Sequence, residues 1–245
     1  MTETFTPSPL LQQALTGDGA ARFLATRGAD DQPSLVPALS ARRDGDELRL
    51  AAVLPDRVLH DLGHDPRSAL LVIDQRMNWW NLQTEFVAFE DGAPGDPIGR
   101  WGRLRPVAVT AAGRISSLRL TIEYAVVRMF GIARGDDYPH ELPQEVAQRF
   151  SMLKAVKSVA YLDEDGKPLA LPCFSMVPAG SGALVCGTGT VAPLRDIPAG
   201  APVAICLLTF QPQAYQIHGW FEGVGGGLLP HAASIKVGRL VPALA

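Results

Sequence analysis

Residues 24–40, LATRGADDQPSLVPALS, and residues 159–175, VAYLDEDGKPLALPCFS, align without a gap at an offset of 135. Ala25/Ala160, Asp30/Asp165, Pro33/Pro168, Pro37/Pro172 and Ser40/Ser175 are identical. These are five positions of seventeen, where average composition gives about one by accident. Leu24/Val159, Leu35/Ala170, Val36/Leu171 and Leu39/Phe174 keep their apolar character. An internal repeat of this length predicts two small units in place of one large one. The expected boundary lies between residues 1–135 and 136–245.

Both stretches read as an apolar strand, a polar turn and a second strand of period two. Leu35, Pro37 and Leu39 share one face, as Ala170, Pro172 and Phe174 do. Proline has no N–H for a sheet ladder, so Pro37 and Pro172 predict an edge, a bulge or a sheet split at the same place in both copies. Upstream, Ser8-Pro9 ahead of LLQQAL has the form of a helix N-cap with proline at the first position. Before the second copy, Val146, Phe150, Leu153 and Val156 fall at helical spacing. Downstream, Asp44-Gly45 marks a hairpin turn before ELRLAAV, and Ala179–Gly182 is its longer counterpart before ALVCGT.

Short helical segments, DRVLHDLGHDP and PLRDIPAGAP, then lead into the apolar strands SALLVID and VAICLLTF. Final strands are expected at Arg105–Arg114, at Ala214–Glu222, and near Ala233–Val241 after the glycine-rich break Gly223–Gly227. Ser117–Tyr138 stays open between helix and strand. The fold class is therefore mainly β (α+β), in two units with one or two helices each.

The bulk composition removes several function classes. A chain of 245 residues, 47% hydrophobic and 19% charged with net charge −3, is that of a folded globular protein. It has no long basic run, and so no electrostatic footprint for nucleic acid. The segment MTETFTPSPLLQQAL lacks the basic-then-apolar form of a signal peptide. The longest apolar stretch, near Ala201–Phe210, is too short to span a bilayer, so no membrane is expected as a partner. Cys173, Cys186 and Cys206 are an odd set in apolar settings, which points to buried thiols and not to a disulfide framework. With no C-x-x-C pair or close Cys/His cluster, no metal site is expected. The expected compartment is cytoplasmic.

The order Phe23-Leu24-Ala25-Thr26, Pro33–Pro37, a hairpin, Arg57-Val58-Leu59-His60-Asp61-Leu62 and Asp65-Pro66-Arg67 before an apolar strand resembles the pyridoxamine 5′-phosphate oxidase-like family. The likeness covers Arg22–Asp74 and, more loosely, Ser158–Phe210. It implies split β-barrels, commonly dimeric, that bind FMN in clefts between two barrels. A tandem copy then implies two FMN-binding split β-barrel domains forming an intrachain pseudo-dimer.

A flavin phosphate calls for cations, hydroxyls and backbone donors, and its ring for a flat apolar wall. The positions matching the family's phosphate site are Ser40, Arg42 or Arg43, and Arg57, which begins a helix. The strand Leu50–Val53, with Ala52 and Val53, would lie along the ring. In the second copy Arg42 and Arg43 become Val177 and Pro178, and Arg57 falls near Ala192, with Arg195 one turn on. Ser175, Thr188 and Thr190 offer hydroxyls there but little charge. Gln213, Tyr215, His218 and Trp220 are the residues expected to line the cofactor from the second copy.

Each of these residues also has a purely structural reading. Arg42 and Arg43 read as a solvated pair beside a turn, His218 as a histidine satisfied within a strand, and Trp79-Trp80 as domain-interface packing. Cys173 has no partner in the sequence that would make it a nucleophile, and no catalytic residue is assigned. The expected function is an FMN-dependent oxidoreductase taking a small-molecule substrate or electron donor. A non-catalytic flavin- or haem-binding protein is the alternative, and deazaflavin or a nicotinamide in place of FMN stays open. So does association into a homodimer.

Overall fold

The computed structural model describes residues 5–38, 40–51, 56–92, 100–131, 142–209, 214–225 and 232–241. The chain divides into two compact units, residues 1–114 with 163–170, and residues 115–162 with 171–245. The boundary expected at 135/136 lies outside the described residues.

In the first unit α1 (Pro9–Thr16) begins as expected: Ser8 Oγ accepts from the Leu11 N–H at 3.3 Å and Pro9 takes the first helical position. The strands are β1 (Ala21–Arg27), β2 (Pro33–Pro37), β3 (Ser40–Asp44) and β4 (Glu47–Ala51). After α2 (Asp56–His64) come β5 (Arg67–Ile73), β6 (Asn78–Asp91) and β7 (Arg100–Arg114). The seven strands form one sheet in the order β2-β1-β5-β6-β7-β4-β3, every pair antiparallel.

Consecutive strands β2 and β3 thus sit at opposite edges, and the chain leaves the sheet at Pro37 to rejoin it at Ser40. Pro33 and Pro37 lie on an edge strand, where a missing donor is tolerated. The β3–β4 hairpin closes on Asp44 opposite Glu47, so its loop is Gly45-Asp46, one residue later than the sequence suggests. Gly45 supplies the positive φ of 61° at the first loop position.

The second unit adds α3 (Ser117–Gly131) and α4 (Gln144–Phe150). The strands of the second sheet are β8 (Val156–Leu162), β9 (Pro168–Pro172, of which residues 168–170 count with the first unit), β10 (Val177–Ala179), β11 (Ala183–Gly187), β12 (Pro202–Leu208), β13 (Ala214–Val224) and β14 (Ala232–Val241). A short 3₁₀ turn covers Ala192–Asp196. The second sheet runs β10-β11-β14-β13-β12-β8-β9. Counted by position within its unit and read from the other edge, that is the order of the first sheet. The fold is mainly β, two tandem split-barrel-like sheets, as the sequence predicts.

Matched residues carry matched bonds. The Ala38 N–H donates to the Arg22 carbonyl at 2.9 Å, and the Cys173 N–H to the Lys157 carbonyl at 2.7 Å. Within the turns, Gly28 donates to Gln32 and Asp163 to Lys167, and left-handed residues follow at Asp31 (φ 56°) and Gly166 (φ 71°).

Two local expectations, at the helix before β8 and at Trp79-Trp80, are corrected, and one open stretch is assigned. The helix before the second copy ends at Phe150, and Val156 opens β8; only Val146 and Phe150 are buried on its face. The open stretch after Ser117 is helical, because Leu120, Tyr124 and Val127 fall at i, i+4, i+7 and are all buried. Trp79, which the sequence assigns to interface packing, is buried with its indole against Gly113, while Trp80 packs on the first unit's own core.

That core joins Leu11, Leu15, Leu24, Val36, Leu48, Leu50, Leu70, Val72, Leu82 and Leu104, each worth about 1.5–3 kcal/mol when removed from water. Both cores admit one buried cation at a matched place. Arg22 donates to the carbonyls of Ala14 (2.9 Å) and Gly17 (2.5 Å) at the end of α1. Lys157 donates through Nζ to the carbonyls of Phe174 (3.1 Å) and Met176 (2.9 Å).

Candidate functional site

The described residues form one well-built polar corner, in the second unit, where β10, β11, the segment after β11 and α3 meet. Tyr124 and Val127 seat α3 on Val177, Ala179, Ala183 and Val185 of β10 and β11. That packing brings Glu123, the residue before Tyr124, over the end of β11. One carboxylate oxygen, Oε1, accepts from Ser175 Oγ at 2.7 Å and from Thr190 Oγ1 at 2.9 Å. The other, Oε2, accepts from the Thr190 N–H at 2.8 Å. Ser175 Oγ is oriented by the Gly187 N–H, which donates to it at 3.0 Å. Two hydroxyls and one backbone amide therefore converge on a single anion, the donor set that also suits a phosphate or other oxyanion.

The corner needs its glycines. A Cβ on Gly187 would lie 2.2 Å from Glu123 Cγ, and one on Gly189 would lie 2.8 Å from Oε2. The carboxylate lies flat on bare backbone. Beside it opens a cavity of about 450 Å³. Ile122, Val126, Val127 and Ala232 give it an apolar wall, and Arg119 and Arg195 are its cations. Arg195 Nε also donates to Thr188 Oγ1 at 3.1 Å, tying the 3₁₀ turn to the segment after β11.

The sequence singles out Ser175, Thr188 and Thr190 as hydroxyls with little charge, and Arg195 one turn beyond the position matching Arg57; all four lie at this corner. What it misses is Glu123, because the stretch carrying it reads equally as helix or strand. The signal that points to the corner is Gly187-Thr188-Gly189-Thr190, small residues and hydroxyls directly after an apolar strand.

Of the residues expected to hold cofactor in the first unit, Ser40, Arg42 and Arg43 lie on the edge strand β3. Ser40 begins β3, half-buried, paired with Ala51 of β4. Arg42 and Arg43 follow on opposite faces of the same strand. The Arg42 guanidinium lies over the Trp101 ring at 5.3 Å, with Arg49 at 5.5 Å. Arg43 Nε donates to the Gly45 carbonyl at 2.9 Å, across its own turn. Around Trp101 the charges alternate: Arg49 pairs with Glu90 (3.0 Å), Glu90 with Arg103 (2.9 Å) and Arg103 with Glu47 (2.6 Å). Arg57 falls in the first turn of α2, and its side chain is outside the described ones. Ala52 and Val53 lie outside the described residues.

Of the second-unit set, Gln213 lies outside the described residues, and the other three are on β13. Alternation along the strand puts His218 and the half-exposed Trp220 on one face and Tyr215 on the other, with the buried Ile217 and Phe221. Tyr215 donates to Glu145 Oε1 of α4 at 3.1 Å, and desolvation together with that carboxylate pushes its phenol above the ordinary range. Trp220 covers Gly238 so closely that a Cβ there would lie 2.5 Å from its ring. Cys173, Cys186 and Cys206 are all buried free thiols, and burial raises Cys173 and Cys206 well above the usual thiol value. A neutral, enclosed thiol is a poor nucleophile.

Among the described residues no group of three His, Cys, Asp or Glu side chains could hold a metal ion. Nor is any helix among them long and apolar enough to cross a membrane.

No family model matches the chain, and no curated protein matches it. Several solved structures are similar at low identity. An F420 reductase is 17% identical over 43% of this chain and 98% of its own, with a TM-score of 0.35. A candidate pyridoxamine 5′-phosphate oxidase of Lactobacillus delbrueckii is 16% identical over 41% of this chain and 93% of its own, with a TM-score of 0.33. YcgR of Escherichia coli, solved with c-di-GMP, is 9% identical over 95% of this chain and 81% of its own, with a TM-score of 0.32.

Proposed function

We propose that the protein is a flavin-dependent oxidoreductase holding FMN, or a deazaflavin in its place, by the corner of the first unit formed by β3, β4 and the start of α2. The observation that carries this reading is the matching corner of the second unit, where Ser175 and Thr190 hold a carboxylate through three hydrogen bonds. Ser40 aligns with Ser175, 135 residues earlier, and Arg57, in the first turn of α2, is the cation this reading assigns to the same phosphate. By their chemistry, a hydroxyl and three cations, these residues suit a phosphate group: Ser40 and Arg57 would hold it, with Arg42 or Arg43 as the neighbouring cation on β3. A bound flavin would supply hydride or electron transfer at its ring. The chain's part is to bind the phosphate, keep the ring against an apolar strand and exclude water from it. The origin of the two units by duplication, and their pairing as an intrachain pseudo-dimer, belong to the same proposal.

Titration of the purified chain with FMN, followed by visible absorbance and flavin fluorescence, tests this reading. Saturable binding is expected, and Arg57→Ala should weaken it by about 1.5–3 kcal/mol, the worth of a hydrogen bond to a charged group. A chain that stays colourless after reconstitution overturns the reading. A second reading, a binder without turnover on the same scaffold, is favoured by Glu123, which fills one of the two corners with protein. Tight FMN binding with no reduction by a reduced nicotinamide or other donor would select it, and titration with haem extends the same assay.

A further inference from the structure

The Glu123 carboxylate makes the contacts that phosphate oxygens would make, beside two arginines that bring more positive charge than one carboxylate balances. We propose that the second-unit corner is an oxyanion site of the phosphate or phosphomonoester class, held shut by the chain's own Glu123. The proposal concerns the second unit alone, and it stands or falls whether or not the first unit binds flavin.

Three observations carry it. Ser175 Oγ, Thr190 Oγ1 and the Thr190 N–H converge on one anion within 2.9 Å, and the serine is itself oriented by the Gly187 N–H. The adjoining cavity is lined by Arg119 and Arg195 besides Glu123. Withdrawing Glu123 would leave both arginine charges to face a ligand, which matches the charge of about −1.5 to −2 on a phosphate group at neutral pH. The cavity volume of about 450 Å³, with its apolar wall, leaves room for a body attached to that phosphate.

The plug is particular to this unit. It requires bare backbone at Gly187, and the matching last residue of β4 in the first unit is Ala51, which carries a Cβ there. It also requires α3, which is seated on β10 and β11 through Tyr124 and Val127. The carboxylate is reachable, since Glu123 and Thr190 are half-buried and Gly189 is exposed. A ligand can displace it by a side-chain rotation with α3 left in place. No covalent step is involved, only an exchange of one anion for another on the same donors.

Thermal unfolding of the full chain in phosphate, against chloride at equal ionic strength, tests the proposal. Wild-type protein should show the smallest phosphate-specific shift. Glu123→Ala, which empties the corner while keeping a strong helix former in α3, should gain a rise in Tm of about 3–6 °C at ten times the dissociation constant. Glu123→Gln, which keeps the shape but removes the charge, should fall between them and decides the matter if the alanine variant does not fold. Adding Ser175→Ala to Glu123→Ala should abolish the gain. Folded Glu123 variants as indifferent to phosphate as wild type would overturn the proposal. So would a phosphate shift in Glu123→Ala that survives loss of the Ser175 hydroxyl, because the anion would then be bound elsewhere.

Discussion

Replacing Lys157 by methionine should flatten the alkaline limb of the protein's stability. Lys157 is wholly buried. Its ammonium is served by two carbonyls, of Phe174 and Met176, and lies 5.7 Å from the centroid of the Tyr124 ring. Burial lowers its pKa to about 7, with Cys173 opposing the shift weakly, against about 10.4 for an unfolded lysine. Between these values the unfolded chain carries a proton that the native chain has given up, so stability rises with pH across that window. Below pH 7 both states are protonated and the full desolvation penalty is present and constant. At about 1.4 kcal/mol per pH unit where only the unfolded state is charged, and half that slope at the native pKa, the gain from pH 7 to pH 9 is about 2 kcal/mol.

Lys157→Met keeps the volume and removes the titration, at the cost of two carbonyls that lose a donor, about 1–3 kcal/mol each if water does not reach them. The variant's stability at pH 7 is therefore a near-cancellation, and the pH dependence of the difference is the informative quantity. Urea unfolding of both chains from pH 6 to pH 9, with reductant present and tryptophan fluorescence as the signal, measures it. The buried thiols titrate in both chains and largely drop out of the difference. The wild-type curve should climb relative to the variant above pH 7 and run parallel to it below. Parallel curves throughout would mean that the native lysine keeps its proton, and the account of its burial would be wrong.

Three further outcomes follow from the geometry. Gly187→Ala places a Cβ 2.2 Å from Glu123 Cγ, so the carboxylate must leave its cradle and stability should fall by about 1–3 kcal/mol, read by denaturant melts. Asp65 is held below the ordinary carboxylate range chiefly by its hydrogen bonds from Arg67, at 2.6–3.2 Å. It therefore contributes stability that is present above the unfolded pKa of about 3.9 and lost as pH falls through the lower native value. Asp65→Asn should remove that acid-limb contribution, about 1 kcal/mol after screening at the partly exposed Arg67. The three thiols should react with an aromatic disulfide reagent only after unfolding; rapid native labelling of any of them would contradict their burial.

The repeat was legible because turns and prolines leave marks that burial does not blur. Pro37 and Pro172 each end a strand that sits on a sheet edge, and the split they imply is the central feature of both sheets. The β6 strand was not legible: Asn78–Asp91 mixes two tryptophans, charges and aromatics, and its path is settled by pairing with β5 and β7 on either side. The buried cations were missed for a related reason. Arg22 and Lys157 look like surface positions in a strand pattern, and only the carbonyls turned inward at the end of α1 and after β9 explain them. Glu123 was missed because its helix is apolar nearly all round, with Leu118, Ile122 and Met129 exposed. Such a pattern has no clean period, and the partner residues lie more than fifty positions away.

Sending successive strands to opposite edges has a cost in time. β4 must wait for β7, since Leu48 pairs with Leu104, and the β3 edge cannot be completed until the chain through Arg114 has been synthesised. The first unit also counts residues 163–170 among its own, which leave the ribosome only after residues 115–162 of the other unit. Loops of that span close slowly. Its last pieces therefore join a nascent chain whose next unit is already partly exposed, and the edge strands β2 and β9 are the surfaces most in need of shelter during that interval.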